Sequence, residues 1–478
     1  MRNLTMLMDF YELTMSNGYF VKEQCDKKVV FDMFYRRNPD GGGFVIAAGL
    51  EQFVEYVRDF KFSDEDIEYL RSKKMFDEKF LQYLKNFKFT GDVYAVPEGT
   101  IVYPNTPLVT VVAPLIEAQL IETMLLLTIN HQSLIATKAN RIVRAAGDAQ
   151  VMEFGARRAQ GADAAIYGAR ACYIGGVGAT ATTIAEEMFG VKAVGTMAHS
   201  FIQFYEDEYE AFKAYAEVYP DECTLLIDTY NVLESGVKNA IRVAKEVLEP
   251  NGHRLKGVRI DSGDLAYLTK KARKMLDEAG CEDCKIVVSN SIDEYLITSL
   301  NEQGAKIDSY GVGERMITAK SEPVFGGVYK LAAVEDGNGN YVPRIKISEN
   351  IEKITNPGFK KLWRIYDRET GYGIADVITM ADEKIDDSEP YPYMDEIKPW
   401  KKRKFVNFRS EELQKQIFKG GELVYELPSL NEIREKVKKQ LATSVWAEEQ
   451  RFDNPHSHYV DLSVKLYNIK QDLLAKLS

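Results

Sequence analysis

Residues suited to chemistry follow short apolar runs in the middle of the chain. The segment RIDSGD (259–264) supplies one guanidinium and two carboxylates at the end of such a run. Arg259 can bind a planar carboxylate through two parallel hydrogen bonds, which a lysine cannot reproduce. Asp261 and Asp264 can accept from sugar hydroxyls or hold Mg²⁺ on a diphosphate, whereas helix capping by Asp261 or Ser262 is the alternative. The segment therefore predicts an anion site beside a sugar or a diphosphate.

His199 lies in a segment, AHSFIQ (198–203), that is typical of a helix start. Ser200 followed by Gln203 predicts a capping box that opens a helix over 201–218. A histidine at the positive end of a helix dipole is disfavoured as imidazolium, and the free N–H groups there suit a phosphoryl group. A buried structural histidine is the alternative. We predict that His199 becomes phosphorylated.

Small residues follow two later apolar runs. The two segments are SNS, with Ser289 and Asn290, and GVGE, with Gly311, Gly313 and Glu314. Backbone N–H groups in such segments can converge on a phosphate, because glycines let the main chain approach closely. The Glu314 carboxylate would repel a phosphate unless it faces Mg²⁺ or solvent. The chain contains neither a Walker A loop nor a GxGxxG fingerprint, so a standard nucleotide fold is not expected.

The elements that must position these residues alternate along the chain. From about residue 150, short Val- and Ile-rich runs are each followed by an amphipathic stretch with helical spacing. Seven strands joined by helical crossovers predict a parallel sheet, closed or nearly closed into a barrel whose loops after the strands share one face. The predicted strands are 151–155, 173–177, 192–196, 223–228, 257–261, 285–289 and 307–312.

The flanking regions predict a second α/β part. Residues 91–114 alternate between apolar and polar side chains, which indicates antiparallel strands, and a long helix is expected over 120–144. Later strands are expected at 327–334 and 341–347, and helices at 429–442 and 460–477. We therefore divide the chain into N-terminal helices and β-rich sandwich (1–145), an α/β barrel (146–325), and strands and helices that complete the sandwich and pack on the barrel (326–478).

Composition narrows the class of protein. The 478 residues carry 61 Lys and Arg against 72 Asp and Glu, a net charge of −11, and 45% are hydrophobic. This is the composition of a packed soluble protein, and the negative charge argues against broad nucleic-acid binding. Five cysteines give no disulfide framework, and the lone CxxC of Cys281 and Cys284 favours ordinary thiols over a metal site. With no secretory signal and no membrane span in the sequence, we expect a cytoplasmic protein.

Taken together, several long motifs make the chain resemble the bacterial type of the nicotinate phosphoribosyltransferase family over nearly its whole length. The resemblance implies a type II phosphoribosyltransferase fold, an irregular α/β barrel with an α/β sandwich domain, and a homodimer with sites at the subunit boundary. The motifs are DFYELTM (9–15), FYRRNPDGGGFVIAAGL (34–50), EFGARRAQG (153–161), GTMAHSF (195–201), RIDSGD, GGVYKL (326–331) and RFDNPHSHYVDLS (451–463).

The resemblance also implies a reaction. Nicotinate and 5-phosphoribosyl 1-diphosphate would give nicotinate mononucleotide and diphosphate, the first step of NAD synthesis from nicotinate. ATP hydrolysis would be coupled through a phosphohistidine, which His199 matches, and Mg²⁺ on the diphosphate could be held by Asp261 and Asp264. ATP and Mg²⁺ are thus the expected cofactors, and His199 and Asp261 the expected catalytic residues.

Other positions match substrate contacts of the family. Phe154, and Tyr11 from the partner subunit, correspond to the aromatic pair that stacks the pyridine ring. Arg259 corresponds to the residue near the nicotinate carboxylate, and Thr196 contacts the same ligand. Arg157 borders this pocket, while Arg36 and Arg37 are candidates for the diphosphate or ATP end.

Two other functions stay open from the sequence. Nicotinamide-using relatives place an Asp where the substrate amide is recognised, whereas the corresponding stretch 177–183 (VGATATT) contains no acid, which favours nicotinate. A phosphohistidine protein without catalysis is the other alternative, although it would have no use for the RIDSGD segment and Arg157. Glu314 stands where the family usually has Thr, which concerns the detail of 5′-phosphate binding.

Overall fold

The computed structural model describes residues 3–350, 353–396, 398–401 and 403–477. The chain forms two compact units. The first combines Met1–Leu134 with Val324–Ser478, and the second is Ile135–Pro323.

The N-terminal segment supplies helices and strands to the first unit, and its last helix, α6, continues beyond Leu134 into residues of the second. β1 is buried along most of its length, because other elements cover both of its faces, and helix α3 begins with a capping box between Ser63 and Asp66. The helices are α1 Phe10–Val21, α2 Leu50–Asp59, α3 Asp64–Ser72, α4 Glu78–Lys85, α5 Leu115–Leu120 and α6 Glu122–Ala146. The strands are β1 Lys28–Phe34, β2 Val45–Ile46, β3 Asp92–Ala95, β4 Ile101–Val102 and β5 Val109–Pro114.

The second unit alternates strands and helices, as the apolar runs predict. Its strands are β6 Gln150–Glu153, β7 Ala179–Thr180, β8 Thr224–Leu226, β9 Gly257–Ile260, β10 Lys285–Ser289 and β11 Ser309–Val312. Its further helices are α7 Ala162–Ile174, α8 Thr183–Phe189, α9 His199–Phe204, α10 Glu208–Val218, α11 Val237–Val243, α12 Leu265–Glu278, α13 Glu294–Glu302 and α14 Glu314–Ile317.

These six strands form one parallel sheet in the order β7-β6-β11-β10-β9-β8. A single parallel bridge from Thr180 to Ala193 extends it beyond β7. Because the first strand of the unit pairs with the last, the order is that of a barrel. Among the described residues no ladder joins the Ala193 segment to β8, so the barrel is incomplete at that point.

Several sequence predictions differ from the structure. Residues 173–177 are not a strand, because the Ala- and Gly-rich run before them continues as helix α7 to Ile174, and the strand follows at β7. The predicted strand 192–196 is reduced to the bridge at Ala193. The predicted helix 201–218 is two helices, since α9 ends at Phe204 and Asp207 caps α10 through the Glu210 N–H. Residues 460–477 begin as a strand before they become helical.

The C-terminal segment completes the first unit. It contains β12 Val328–Glu335, β13 Tyr341–Pro343, β14 Lys360–Asp367, β15 Gly373–Met380, β16 Tyr391–Met394, β17 Arg403–Phe405, β18 Phe408–Glu412, β19 Lys415–Lys419, β20 Glu422–Leu423, α15 Leu430–Thr443, β21 Val460–Ser463 and α16 Val464–Leu477. The unit has one seven-stranded sheet (β13-β12-β1-β5-β3-β19-β20), one six-stranded sheet (β17-β16-β21-β15-β14-β18) and the pair β2-β4. The antiparallel pairing of β3 with β5 confirms the alternation seen over 91–114.

A buried charge cluster lies inside the first unit around His458. The imidazole Nδ1 is 2.9 Å from Glu449 Oε1, and Nε2 is 3.4 Å from Asp376 Oδ1. Arg364 donates two hydrogen bonds to the Asp376 carboxylate, at 2.7 and 2.9 Å, and the Tyr103 ring stacks on the imidazole. Burial alone would lower the pKa of His458, but the two carboxylates raise it above its ordinary value. The two carboxylates therefore favour the protonated form of His458.

Two further expectations concern thiols and membranes. All five cysteines are free, Cys281 and Cys284 are buried, and burial raises the pKa of Cys284 to about 12. Both side chains of the CxxC are thus unreactive thiols at neutral pH.

Within the described residues, no helix combines the length and the apolar character needed to span a lipid bilayer.

Candidate active site

The residues singled out in the barrel lie at or beyond the carboxyl ends of its strands. Phe154 follows β6, Thr196 and His199 follow the Ala193 bridge, Arg259 and Asp261 lie at the end of β9, and Ser289 ends β10. Parallel strands bring their carboxyl ends to one edge, where the sites of barrel enzymes lie. Contacts between these side chains show which of them meet.

Arg259 is the centre of the first group of contacts. Its Nε donates to Ser289 Oγ at 2.9 Å, its Nη2 donates to Asp261 Oδ1 at 3.1 Å, and its Nη1 lies 3.4 Å from Thr196 Oγ1. Its guanidinium carbon is 5.4 Å from the centre of the Phe154 ring, and only 14% of the side chain is exposed. The guanidinium is thus held beside the Phe154 ring. Its contact with Thr196 is the longest of its three polar contacts. This arrangement suits an aromatic acid.

Gly311 makes room for Phe154. A Cβ atom at position 311 would lie 2.6 and 2.7 Å from two carbons of the Phe154 ring. Gly311 pairs with Ser289 on one side and Met152 on the other, so its backbone is held between two strands. Gly311 therefore leaves the space that the Phe154 ring occupies. This role differs from the one predicted for the GVGE segment, in which glycines let the backbone approach a phosphate.

His199 is the first residue of α9, but the predicted cap is wrong. The cap residue is Ala198, with no side-chain hydrogen bond, and α9 has six residues. The imidazole Nδ1 lies 3.0 Å from Thr229 Oγ1 and Nε2 lies 3.8 Å from Asp228 Oδ1. The ring is 40% exposed, so a ligand can reach it.

Asp228 connects His199 to the RIDSGD segment. Its Oδ2 accepts from the Asp261 N–H at 2.9 Å and from the Ser262 hydroxyl at 2.6 Å. Its Oδ1 is buried and accepts no hydrogen bond from the described residues, although it lies 3.8 Å from the His199 Nε2. The sequence assigned no site role to Asp228 or Thr229. The available signal was the position of Asp228 at the end of the predicted strand 223–228.

A cavity of about 280 Å³ opens at the loops after β9 and β10. Asp264 borders it and caps α12 by accepting from the Tyr267 N–H at 3.0 Å, so the capping role applies to Asp264 rather than to Asp261 or Ser262. Asn290 also borders it, and both Asn290 and Ser291 have positive φ, 83° and 53°. The lining residues are Asp261, Ser262, Gly263, Asp264, Leu265, Ala266, Ser289, Asn290, Leu296, Leu300 and Gln303.

Glu314 and Arg157 follow strands β11 and β6 along the chain. Glu314 is the first residue of α14, directly after Gly313, and forms an ion pair with Lys320 at 2.6 Å that lowers the pKa of Glu314. Its charge is therefore partly balanced within the chain. Arg157 is exposed in a turn of 3₁₀ helix, Ala156–Arg158, two residues beyond Gly155.

Tyr11 and Arg36 belong to the first unit. Tyr11 lies on α1 and is 44% exposed, and partial burial, with the neighbouring Glu122 charge, raises its pKa. Arg36 follows β1 with its guanidinium carbon 5.6 Å from the centre of the Phe34 ring. Both side chains are partly accessible within their own unit.

No protein-built metal centre is present in the described part of the chain, where no three His, Cys, Asp or Glu side chains are grouped as ligands. The two hydrogen bonds that reach the Asp261 carboxylate, from Arg259 and Ser289, both end on Oδ1. Oδ2 of Asp261 and Oδ2 of Asp264 accept none from the described residues. These oxygens fit a hard cation that arrives bound to a substrate.

The incomplete parallel α/β barrel with its polar strand ends, accompanied by mixed sheets, defines the chain as a type II phosphoribosyltransferase in fold. Its structure matches that of human nicotinic acid phosphoribosyltransferase with a TM-score of 0.86 and 30% identity, over 98% of this chain and all of the other. It matches nicotinate-nucleotide pyrophosphorylase from Pyrococcus furiosus with a TM-score of 0.69 and 26% identity, over 92% of this chain and 96% of the other.

Sequence comparisons are more specific. Residues 6–130, 149–338 and 359–470 match the models of the nicotinate phosphoribosyltransferase N-terminal domain, family and C-terminal domain. Nicotinate phosphoribosyltransferase of Bacillus subtilis (strain 168) is 44% identical to this chain, and the match covers 98% of this chain and 94% of the relative. Nicotinate phosphoribosyltransferase of Caenorhabditis elegans is 36% identical, and the match covers 98% of this chain and 93% of the relative. The chain therefore belongs to the nicotinate phosphoribosyltransferase family.

Proposed function

We propose that this protein joins nicotinate to 5-phosphoribosyl 1-diphosphate, producing nicotinate mononucleotide and diphosphate for NAD synthesis. The observation that carries the proposal is the fixed Arg259 guanidinium beside the Phe154 ring. A flat aromatic acid can stack on Phe154 while its carboxylate binds Arg259 and the Thr196 hydroxyl. The names of the full-length relatives support the same substrate.

The transfer needs charge stabilisation more than proton transfer. The pyridine nitrogen attacks C1 of the ribose as the C1–O bond to diphosphate breaks, so positive charge develops on the sugar and negative charge on the leaving group. The attacking nitrogen carries no proton, and no general base is required. Fixed side chains that are already oriented stabilise such charges at low reorganisation cost. Asp261 and Asp264 would hold Mg²⁺ on the diphosphate, where the ion supplies positive charge to the leaving group.

We further propose that ATP enters the reaction through His199. Asp228 Oδ1 would accept a hydrogen bond from the Nε2–H, which keeps the ring proton on Nε2 and leaves the Nδ1 lone pair, on the Thr229 side, as the nucleophile. Attack of Nδ1 on the γ-phosphorus of ATP forms the N–P bond and releases ADP, and water later cleaves that bond to release phosphate. Asp228, through Asp261 and Ser262, supplies a contact between the histidine and the diphosphate end of the site.

The test is a direct assay of the purified protein. Nicotinate, phosphoribosyl diphosphate and Mg²⁺ are incubated with and without ATP, and mononucleotide, diphosphate and ADP are quantified. We expect one mononucleotide per diphosphate, with ATP increasing the yield. Nicotinamide replaces nicotinate in a parallel assay, and faster turnover of the amide would contradict the assignment of Arg259 to a carboxylate.

We also propose that the working form is a homodimer in which Tyr11 of one subunit serves the site of the other. Phe10 and Tyr11 on α1 are 46% and 44% exposed, which favours a covered position in an assembly. Sedimentation velocity should give a dimer. In mixtures of Tyr11→Ala and Phe154→Ala proteins, exchange of subunits should restore activity, and its absence would contradict a shared site.

A further inference from the structure

We infer that Glu153 is a positioning residue that sets the shape of the pyridine pocket by holding two adjacent strand ends together. The inference rests on the proposed function, because it assumes that Phe154 stacks the nicotinate ring. It concerns a residue that precedes Phe154 and is itself fully buried. Glu153 therefore acts on the pocket only through the groups that it binds.

The Glu153 carboxylate bonds to groups on both sides of it. One oxygen, Oε1, accepts from the Gly155 N–H in the turn that carries Phe154. The other, Oε2, accepts from the Thr180 hydroxyl at 2.6 Å and from the Thr182 hydroxyl at 3.3 Å. The backbone carbonyl of the same residue accepts from the Ala181 N–H at 2.8 Å. One residue thus joins the end of β6 to the turn after β7.

This carboxylate has no counter-ion among the described residues. Burial raises the pKa of Glu153, while its hydrogen bonds to Thr180, Gly155 and Thr182 lower it. A buried carboxylate without a cation is expensive, so it contributes less to stability than an apolar side chain of that volume could. Its hydrogen bonds instead fix one geometry for the segments that meet there.

The turn on the Phe154 side is built tightly around the carboxylate. A Cβ atom at Gly155 would lie 2.6 Å from the Ile317 side chain and 2.9 Å from Glu153 Oε1. Only glycine therefore lets this turn close over the carboxylate. Since Phe154 stands between Glu153 and Gly155, anchoring both neighbours restricts where its ring can lie.

On the β7 side, the Glu153 carboxylate fixes the conformation of the turn that follows β7. Thr180 and Thr182 are buried and bonded to Glu153, while Ala181 between them is exposed. The alternation holds Ala181 outward at the carboxyl end of the strand. The stretch 177–183 contains no acid, but the Glu153 carboxylate lies directly against it. Because that carboxylate is buried and hydrogen-bonded, it shapes the wall without facing an anionic substrate.

Two substitutions at Glu153 separate positioning from charge. Glu153→Gln keeps an acceptor for the Gly155 N–H, and its amide group can donate to the threonine hydroxyls, which can rotate. Glu153→Ala leaves all of these groups without their partner. A displacement of ~1 Å at a reacting centre can cost on the order of 100-fold in rate. We expect Glu153→Ala to raise the KM for nicotinate at least about tenfold, with the KM for phosphoribosyl diphosphate within about twofold, and Glu153→Gln to restore most of the loss.

Glu117 offers a matched control in the first unit. It is 5% exposed, accepts from the Thr90 N–H and at 2.9 Å from the Thr90 hydroxyl, and its pKa is also raised by burial. Glu117→Ala should lower the melting temperature without changing the ratio of the two KM values. If Glu153→Ala does not fold, Thr182→Val removes one of the donors and should raise the nicotinate KM selectively, by a smaller factor.

The outcomes distinguish this inference from the proposed function. If the wild-type protein makes no nicotinate mononucleotide, the proposed function is wrong. If the wild-type protein is active but Glu153→Ala or Thr182→Val shifts both KM values equally, or leaves both unchanged, the positioning role is wrong. Failure of Glu153→Gln to improve on Glu153→Ala would also overturn it.

Discussion

The substitution Gly311→Ala tests whether Phe154 holds the substrate ring. The new Cβ would lie 2.6 and 2.7 Å from two ring carbons, whereas ordinary contacts begin near 3.4 Å. The backbone of Gly311 is paired with β10 and β6, so the ring must move by roughly 0.8 Å or more rather than the strand. A shift of ~1 Å can cost about 100-fold, which equals ~2.7 kcal/mol of transition-state stabilisation.

The assay is steady-state kinetics with nicotinate varied at saturating phosphoribosyl diphosphate. We expect kcat/KM for nicotinate to fall by on the order of 100-fold, while the KM for the sugar substrate stays near the wild-type value. The control is a double-mutant cycle with Phe154→Ala, which removes both clashing ring carbons. In that background Gly311→Ala should cost less than about twofold, because the two effects share one contact.

Two results would refute this reasoning. If Gly311→Ala costs as much in the Phe154→Ala protein as in the wild type, the methyl group acts through the sheet and not through the ring. If the nicotinate kcat/KM of the single variant is unchanged, Phe154 does not position the substrate. Circular dichroism and melting temperature separate both results from simple unfolding.

Three other predictions address charge and proton state. Arg259→Lys should weaken nicotinate use by about 1.5–3 kcal/mol, the range of a charge-assisted hydrogen bond, and an unchanged nicotinate KM would exclude Arg259 from the carboxylate contact. His199→Ala should abolish ADP release while some ATP-independent transfer remains, as followed by chromatography of the nucleotides; full ATP coupling in this variant would exclude the histidine. Because the pKa of His458 is higher in the folded protein than in the unfolded one, its protonation stabilises the fold fully below about pH 6.5, and this stabilisation is lost as pH rises through the pKa of the folded state. The midpoint of urea unfolding should therefore fall between pH 6 and pH 9 by more in the wild type than in His458→Gln. Equal falls in both proteins would contradict a raised pKa of His458 in the folded protein.

Much of the barrel can be predicted from local sequence. The runs at 223–228, 257–261, 285–289 and 307–312 each contain an observed strand, because short β-branched runs between polar turns have few other stable placements. The prediction of a strand at 173–177 failed because such a run does have another stable placement. Apolar residues of that length fit a buried helix as well as a strand, and the preceding alanines favour the helix.

Some site residues can be recognised from the sequence around them, whereas others matter only through contacts with residues that are distant in the chain. Arg259, Asp261 and Ser289 meet as the strand ends indicate. Asp228 and Thr229 were missed, because their importance depends on contacts with residues about thirty positions away. The capping box at Ser200 failed because α9 begins at His199 after Ala198, so Ser200 lies inside the helix, and Asp207 caps a separate second helix.

What the sequence lacks is the lateral order and register of the strands, and these determine the chemistry. Arg259 and Asp261 alternate with Ile260, so they project to the same side of the sheet. Opposite Arg259 stand Leu226 on one neighbouring strand and Val287 on the other, which leaves Asp228 and Ser289 level with the end of β9. A slip of one residue would turn Arg259 to the opposite face and separate it from Ser289. Glu153 faces the same constraint, since only its pairing with Thr180 brings both threonine hydroxyls to its carboxylate. The site therefore depends on the pairing of β6 with β7 and of β9 with β8 and β10, and those pairings join segments that chain order alone leaves unassigned.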